Sequence, residues 1–268
     1  MSGCRDSCAY ELTTKLPKMR QRRRHMKRNL TLPLLVAIIL ALPVNPAFAF
    51  DRKEQEAQAI ERVLERLGEG TSQQMLARLI NDKASTAWLK QRPANYASLI
   101  PRHIQEGRLR GGSEVEKLRR LAAPILTLHQ QTGVIEPLVF RDDQIYVALV
   151  GGWSLAVSTR ALLMLTEEEL QAAVAHEVGH IYTMVEAYNA ERAKDQAKLR
   201  ETELFADAVS ALTMKALRKD PGAVLRGIEK ELSRLAAQGT MALTCASHPT
   251  TESRKVLNAR LTRILAGN

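Results

Sequence analysis

The chain has 268 residues, 45% hydrophobic and 25% charged, the make-up of an ordinary globular protein of one domain with helical additions, or at most two small ones. Aromatic residues amount to 4%, so the core has to be built from Leu, Ala, Val and Ile, which favours a helix-rich architecture. The formal charge of +10 would suit a nucleic-acid binder, but residues 1–49 hold nine Lys/Arg against only Asp6 and Glu11, so most of the basicity belongs to the leader and no nucleic-acid partner is expected.

That leader, MKRNLTLPLLVAIILALPVNPAFAF from Met26, has a basic start, an apolar run from Leu30 to Val44, and small residues at Ala47 and Ala49. This is the pattern of a secretory signal peptide with cleavage after Ala49. Residues 1–25 read either as an over-extended start or as a basic extension. The apolar run is short for a membrane span, which needs ~20 residues, and Pro33 and Pro43 interrupt it. Membrane contact is therefore expected only through the leader, if it stays uncleaved. Cys4 and Cys8 lie in the leader, which leaves Cys245 alone in the mature chain with no disulfide to form. No cysteine stands at the cleavage site, so lipid attachment there is excluded. The expectation is an exported protein, soluble after processing.

Residues 51–67 pattern as an amphipathic helix, with Asp51 as a candidate cap and Ile60, Val63, Leu64 and Leu67 at helical spacing. GEG at 68–70 ends it, and Thr71 can cap a short second helix. Residues 91–112, with Pro93, Pro101 and GRLRGG, read as a loop-rich connector closing an N-terminal helical segment over 50–112. Ser113 and Glu116 then spell a capping box for a helix that Pro124 should kink and Gly133 should close. Next the period changes. PLVF, QIYVALV and SLAVST are short β-branched runs consistent with two or three strands, Gly151 and Gly152 marking a turn.

From Thr166 the helical period returns with a second capping box, Thr166 and Glu169, and acidic residues in the first turn. Helical patterning continues to about Arg218. KDPGAV interrupts it, a further helix runs to about Ala237, GTMALTCASHP reads as a loop, and a last helix closes the chain. The fold class is α+β, mostly helical, with a small sheet.

The helix after Thr166 carries AVAHEVGHIY. His176 and His180 stand one turn apart, so both rings can converge on one ion, and Glu177 between them can take a proton from water. Burying imidazoles and a carboxylate without a partner would be costly. Gly179, in mid-helix at a cost of ~1 kcal/mol relative to alanine, points to close packing there. Catalytic zinc needs a third protein ligand, and Glu203 and Asp207 in ETELFADAVS are candidates on one helical face. A straight helix would put Glu203 ~35 Å from His180. The chain must therefore turn back between them, and Asn189 is the expected break.

These residues resemble metallopeptidase family 48, which includes HtpX-like heat-shock proteases, CAAX prenyl proteases and exported BepA-like proteins. The resemblance lies in STRALL and LTEEELQAAVAHEVGH over 158–180, ELFAD at 203–207 and HPTTESR at 248–254. It implies a gluzincin-like zinc metallopeptidase domain over 113–268, with one Zn²⁺ held by His176, His180 and Glu203 and with Glu177 as general base. It further implies Asp207 orienting a ligand histidine, His248 stabilising an oxyanion or shielding the metal, and Arg254 holding nearby carboxylates. The implied activity is endoproteolysis of protein or peptide substrates, such as misfolded or envelope proteins, in the periplasm. Substrates would add as an extended strand to the edge strand before Gly151. There the family often has an Asn-Ala pair and this chain has Tyr146 and Val147. The transmembrane helices of HtpX-like members and a tetratricopeptide array are both missing.

Plainer readings stand beside these. Glu203 and Asp207 would serve equally as a solvated helix face, His248 as a turn former before Pro249, and Arg254 as an exposed helix residue. His103, His129 and Cys245 are assigned no function. At the level of the whole protein, the alternatives are an exported chaperone-like protein with a closed, latent zinc site, and a metal-free helical scaffold.

Overall fold

A computed structural model describes residues 46–237 and 246–266. The leader up to residue 45, Cys4, Cys8 and Cys245 lie outside the described residues. The helices are α1 (Pro46–Leu67), α2 (Ser72–Asn81), α3 (Lys83–Thr86), α4 (Arg102–Gly107), α5 (Ser113–Leu128), α6 (Thr159–Met164), α7 (Glu167–Gly179), α8 (Met184–Ala193), α9 (Gln196–Ala216), α10 (Ala223–Ala237) and α11 (Thr251–Ala266). The strands are β1 (Glu136–Phe140), β2 (Val147–Val150) and β3 (Ser154–Ser158). The architecture is α+β and mostly helical, as the patterning predicts. Among the described residues, no helix is long and apolar enough to cross a membrane.

The sheet has the order β1-β3-β2, with β1 parallel and β2 antiparallel to β3. β3 is central and buried along its whole length, which is why SLAVS carries no charge. The outer side of β1 is covered, because the Leu109 N–H donates to Val139 O at 2.8 Å and the Arg141 N–H donates to Gly107 O at 2.9 Å. β2 is the opposite edge. Gly151 (φ 58°) and Gly152 (φ 81°) turn it back into β3 in a left-handed conformation that side chains rarely adopt. At Gly152 a Cβ would also lie 2.6 Å from the Trp88 ring.

α7 is the central helix, packed against α5, α9, α10 and β2. Its capping box forms as expected, with the Glu169 N–H donating to Thr166 Oγ1 and the Thr166 N–H donating to the Glu169 carboxylate. Gly179 is where α9 comes closest, since a Cβ there would lie 3.0 Å from Ala206 Cα. α1 lays Ala59, Ile60, Val63 and Leu67 onto α9 and α11. One hydrophobic cluster therefore runs from the 50–112 segment through the rest of the chain, joining Ile60 and Leu79 to Leu118 and Leu257.

Several local expectations are corrected. The chain does turn back between His180 and Glu203, but Asn189 is not the break. A 3₁₀ turn at His180–Tyr182 starts the reversal, and Lys194 in a left-handed conformation (φ 56°) ends α8. The Ser113–Glu116 capping box does not form, because α5 begins at Ser113 itself with Gly112 as the cap residue. α5, with Pro124 inside it, ends at Leu128 rather than at Gly133. Asp51 lies inside α1 rather than capping it, and the 91–112 connector contains α4.

Candidate metal centre

Two helices make the centre. α7 ends on His176, Glu177 and Gly179, with His180 immediately after; the close approach at Gly179 sets α9 alongside and brings Glu203 and Asp207 up to them. The His176 Nε2 and His180 Nε2 atoms are 3.2 Å apart, and Glu203 places one carboxylate oxygen 3.4 Å from His180 Nε2 and the other 3.7 Å from His176 Nε2. His176, His180 and Glu203 form a group able to hold a metal ion, their donor atoms lying within 4.8 Å of one another.

The donor set fits a cation better than it fits a hydrogen-bond network. His176 Nδ1 is 2.8 Å from Asp207 Oδ1. A carboxylate only accepts, so Nδ1 carries the proton, and in the neutral ring the Nε2 lone pair points toward Glu203 and His180. This is the orientation a ligand histidine needs, with Asp207 as the outer partner that fixes it. Two imidazole nitrogens 3.2 Å apart can share only one hydrogen bond. Both are satisfied at once by an ion that takes lone pairs.

Arg254, on α11, fixes the carboxylates from behind. Its Nη1 lies 2.5 Å from both Asp207 oxygens and its Nη2 lies 3.3 Å from Glu203 Oε2. Asp207 and Arg254 are both buried, so the readings of a solvated helix face and an exposed helix residue do not describe them. His248 stands on the outer side with its side chain 41% exposed, its Nε2 3.7 Å from Glu203 Oε2, and it is not a member of the three-residue group.

Glu177 opens onto the same cleft, a cavity of about 540 Å³ lined also by Trp88, Tyr146, Leu149, Met184 and Tyr188. The protein packed around it pushes its pKa up to about 7, although His176 and a hydrogen bond from the Leu149 N–H (2.9 Å) pull the other way. Burial would lower the pKa of His176, but the hydrogen bond and charge of Asp207, with Glu203, outweigh it and hold the ring at about 9. At His180 burial prevails over the opposing charge of Glu203 and pushes the ring down to about 4. Burial would raise Glu203, yet the charges of His180, His176, His248 and Arg254 hold it at about 2. Neighbouring groups with pKa values driven this far apart are a mark of functional sites.

All seven residues singled out in the sequence (His176, Glu177, His180, Glu203, Asp207, His248 and Arg254) meet at this one place. Of the other histidines, His103 packs edge-on to Phe140, and His129 is buried between Tyr182 Oη (2.7 Å) and Thr213 Oγ1 (2.8 Å). Two contributors escaped the sequence reading. The Leu149 N–H is backbone and leaves no trace in residue type. Glu56 does leave one, because it sits one turn before Ile60 on the apolar stripe of α1 and is buried there. Comparison with protein-family models gives no match, and comparison with curated proteins gives none either.

Proposed function

We propose that the protein is an exported zinc-dependent endopeptidase of the kind found in metallopeptidase family 48. The observation that carries this reading is the meeting of His176, His180 and Glu203 in one cleft with Glu177 beside them. Zinc held by those three would supply a Lewis acid that acidifies water and polarises a carbonyl. The remaining steps belong to the chain's own side chains. Glu177, open to the cleft beside the donor set, is suited both to accept a proton from the attacking water and to hand it to the leaving amine. His248, exposed to the cleft beside Glu203, is placed to donate toward the developing oxyanion. Asp207 and Arg254 hold His176 and Glu203 in orientation.

β2 supports the expectation that substrate adds as a strand. The Ser158 N–H bonds to Tyr146 O, so Tyr146 and Ala148 turn their peptide groups toward β3, while those of Val147 and Leu149 point to the outer edge. The Leu149 N–H pointing at Glu177 agrees with that alternation. An extended peptide on this edge would lie along the cleft past Glu177, its side chains against Trp88, Tyr146 and Met184. The chaperone-like alternative needs His248 to close the donor set, and its place outside the three-residue group favours the open site. The leader of residues 26–49 supports export to the periplasm.

Metal analysis with a casein assay tests the reading. Wild type is expected to hold one zinc per chain and to cleave. Glu177→Gln should keep the zinc and lose cleavage by at least about a hundredfold, the scale of general-base catalysis. A Glu177→Gln protein that cleaves at the wild-type rate, or a wild type that binds no zinc, refutes it.

A further inference from the structure

The loop that presents His248 is held at several backbone points by charged side chains, and these converge on one buried carboxylate. Arg52 Nη2 donates to His248 O at 2.6 Å, Arg200 Nη1 donates to Ala246 O at 2.8 Å, and the Thr250 N–H donates to Glu56 Oε2 at 3.1 Å. Glu56 Oε1 in turn receives Arg52 Nε at 2.9 Å and lies 3.6 Å from Arg200 Nε. Its other oxygen accepts the Thr250 and Ser253 hydroxyls at 2.7 and 2.5 Å. Glu56 is 1% exposed, so a complete set of partners is what makes its charge tolerable there. Arg200 sits three residues before Glu203 on α9, and Arg52 and Glu56 stand one turn apart on α1. Thr250 immediately precedes α11 and Ser253 lies in its first turn, on the helix that carries Arg254.

We propose that Glu56 is a positioning residue of the metal centre. From α1 it fixes the 246–250 loop and the start of α11, and so sets where the His248 imidazole stands relative to Glu203. Glu56 touches neither substrate nor metal and works by holding two arginines and the first turn of α11 in register. Glu203, Arg200 and the loop are thereby tied together through one carboxylate. The inference rests on the proposed function only where it concerns turnover; the placement of His248 is independent of it.

The test uses Glu56→Gln and Glu56→Ala in the full chain, each also in a His248→Ala background. Glu56→Ala is expected to lower kcat for casein by about tenfold or more, the usual scale for an outer partner of a metal site, with KM within about twofold. In the His248→Ala background the same substitution should cost less than about twofold more, because its effect passes through that imidazole. The structural readout is NMR of the histidine rings, with and without zinc. The His248 ring signals should shift and broaden in both Glu56 variants while those of His129 and His103 stay in place. Glu56→Gln keeps the volume and an acceptor for Thr250, so it carries the same test at smaller amplitude if Glu56→Ala fails to fold. Unmoved His248 signals in the folded variants, or an undiminished loss of kcat without His248, overturn the proposal. Absence of cleavage by every protein, wild type included, overturns the endopeptidase reading, and the ring signals then decide the role of Glu56 alone.

Discussion

Alanine at two helical glycines should act with opposite signs, and the comparison measures how closely α7 and α9 approach. In mid-helix, alanine is worth about 1 kcal/mol over glycine. At Gly227 in α10 a methyl meets only Leu165 Cδ2 at 3.8 Å and Glu169 Cβ at 3.9 Å, ordinary contacts. Gly227→Ala should therefore keep most of the gain and raise the Tm by about 2–4 °C, as expected for a chain of this size. At Gly179 the methyl would lie 3.0 Å from Ala206 Cα, 3.1 Å from Ala206 O and 3.1 Å from Val209 Cβ. Backbone atoms cannot rotate aside, so α9 itself has to move. Overpacking of this kind costs about 1–3 kcal/mol, and because Gly179 is the last residue of α7 the mid-helix propensity gain offsets only part of it, leaving a net loss of up to about 3 kcal/mol. The displaced segment carries Glu203 and Asp207 on either side of Ala206, while Gly179 adjoins His180. A shift of a few tenths of an ångström should loosen the donor set and weaken zinc binding on the order of tenfold, about 1.4 kcal/mol. Thermal unfolding of the metal-free proteins reads the first effect, and zinc competition with a chelator reads the second. A Gly179→Ala protein as stable as Gly227→Ala, with wild-type zinc affinity, would refute the packing argument.

Asp207→Asn keeps the shape but allows the amide nitrogen to face His176 Nδ1, so the ring loses its fixed tautomer. Zinc affinity or turnover should fall about 10–100-fold, read by chelator competition and casein cleavage, with little change in the helical circular dichroism. His129 gives a stability effect that is separate from the metal. Burial lowers its pKa from 6.5 to about 4, so the folded protein refuses a proton that the unfolded chain accepts. Its contribution is therefore complete above pH 6.5 and is lost as the pH falls toward 4, on the order of 3 kcal/mol in all. Urea unfolding of metal-free wild type and His129→Gln across that window should show a shallower decline for the variant, and parallel curves would dismiss the assignment.

The sequence shows the centre more clearly than the path that builds it. His176, Glu177 and His180 are legible because four-residue spacing puts both rings on one helical face, and the Thr166 capping box fixes where that helix starts. Gly179 is legible as a close approach because an unforced glycine is a poor helix residue. The turn back toward Glu203 does not fall at Asn189, although left-handed helix ends are usually Gly or Asn. Here a lysine, Lys194, takes that conformation, held by its N–H bonding back to the last turn of α8. The Ser113 box failed for a related reason. Its letters are right, but Gly112, with a positive φ of 107°, starts the helix one residue early. Glu56 was written in the chain as a charge on an apolar stripe. What it holds comes from 194 residues away at Thr250, and no local pattern can supply that.

The charges in the cluster explain why a cation, and not a further salt bridge, suits it. Three carboxylates, Glu177, Glu203 and Asp207, face one guanidinium, Arg254, within a largely buried volume. The metal-free protein makes up part of the deficit with protons, since His176 is held up at about 9 and Glu177 at about 7. His180, pushed down to about 4, stays neutral and keeps a lone pair. A dication would meet the same deficit without those protons, freeing His176 Nε2 and leaving Glu177 ionised to act as a base. Arg254 could not do this alone, because its Nη1 and Nη2 groups are already engaged by Asp207 and Glu203. The arginine steadies the carboxylates from the protein side, and the cleft opens on the other side, next to β2 and His248.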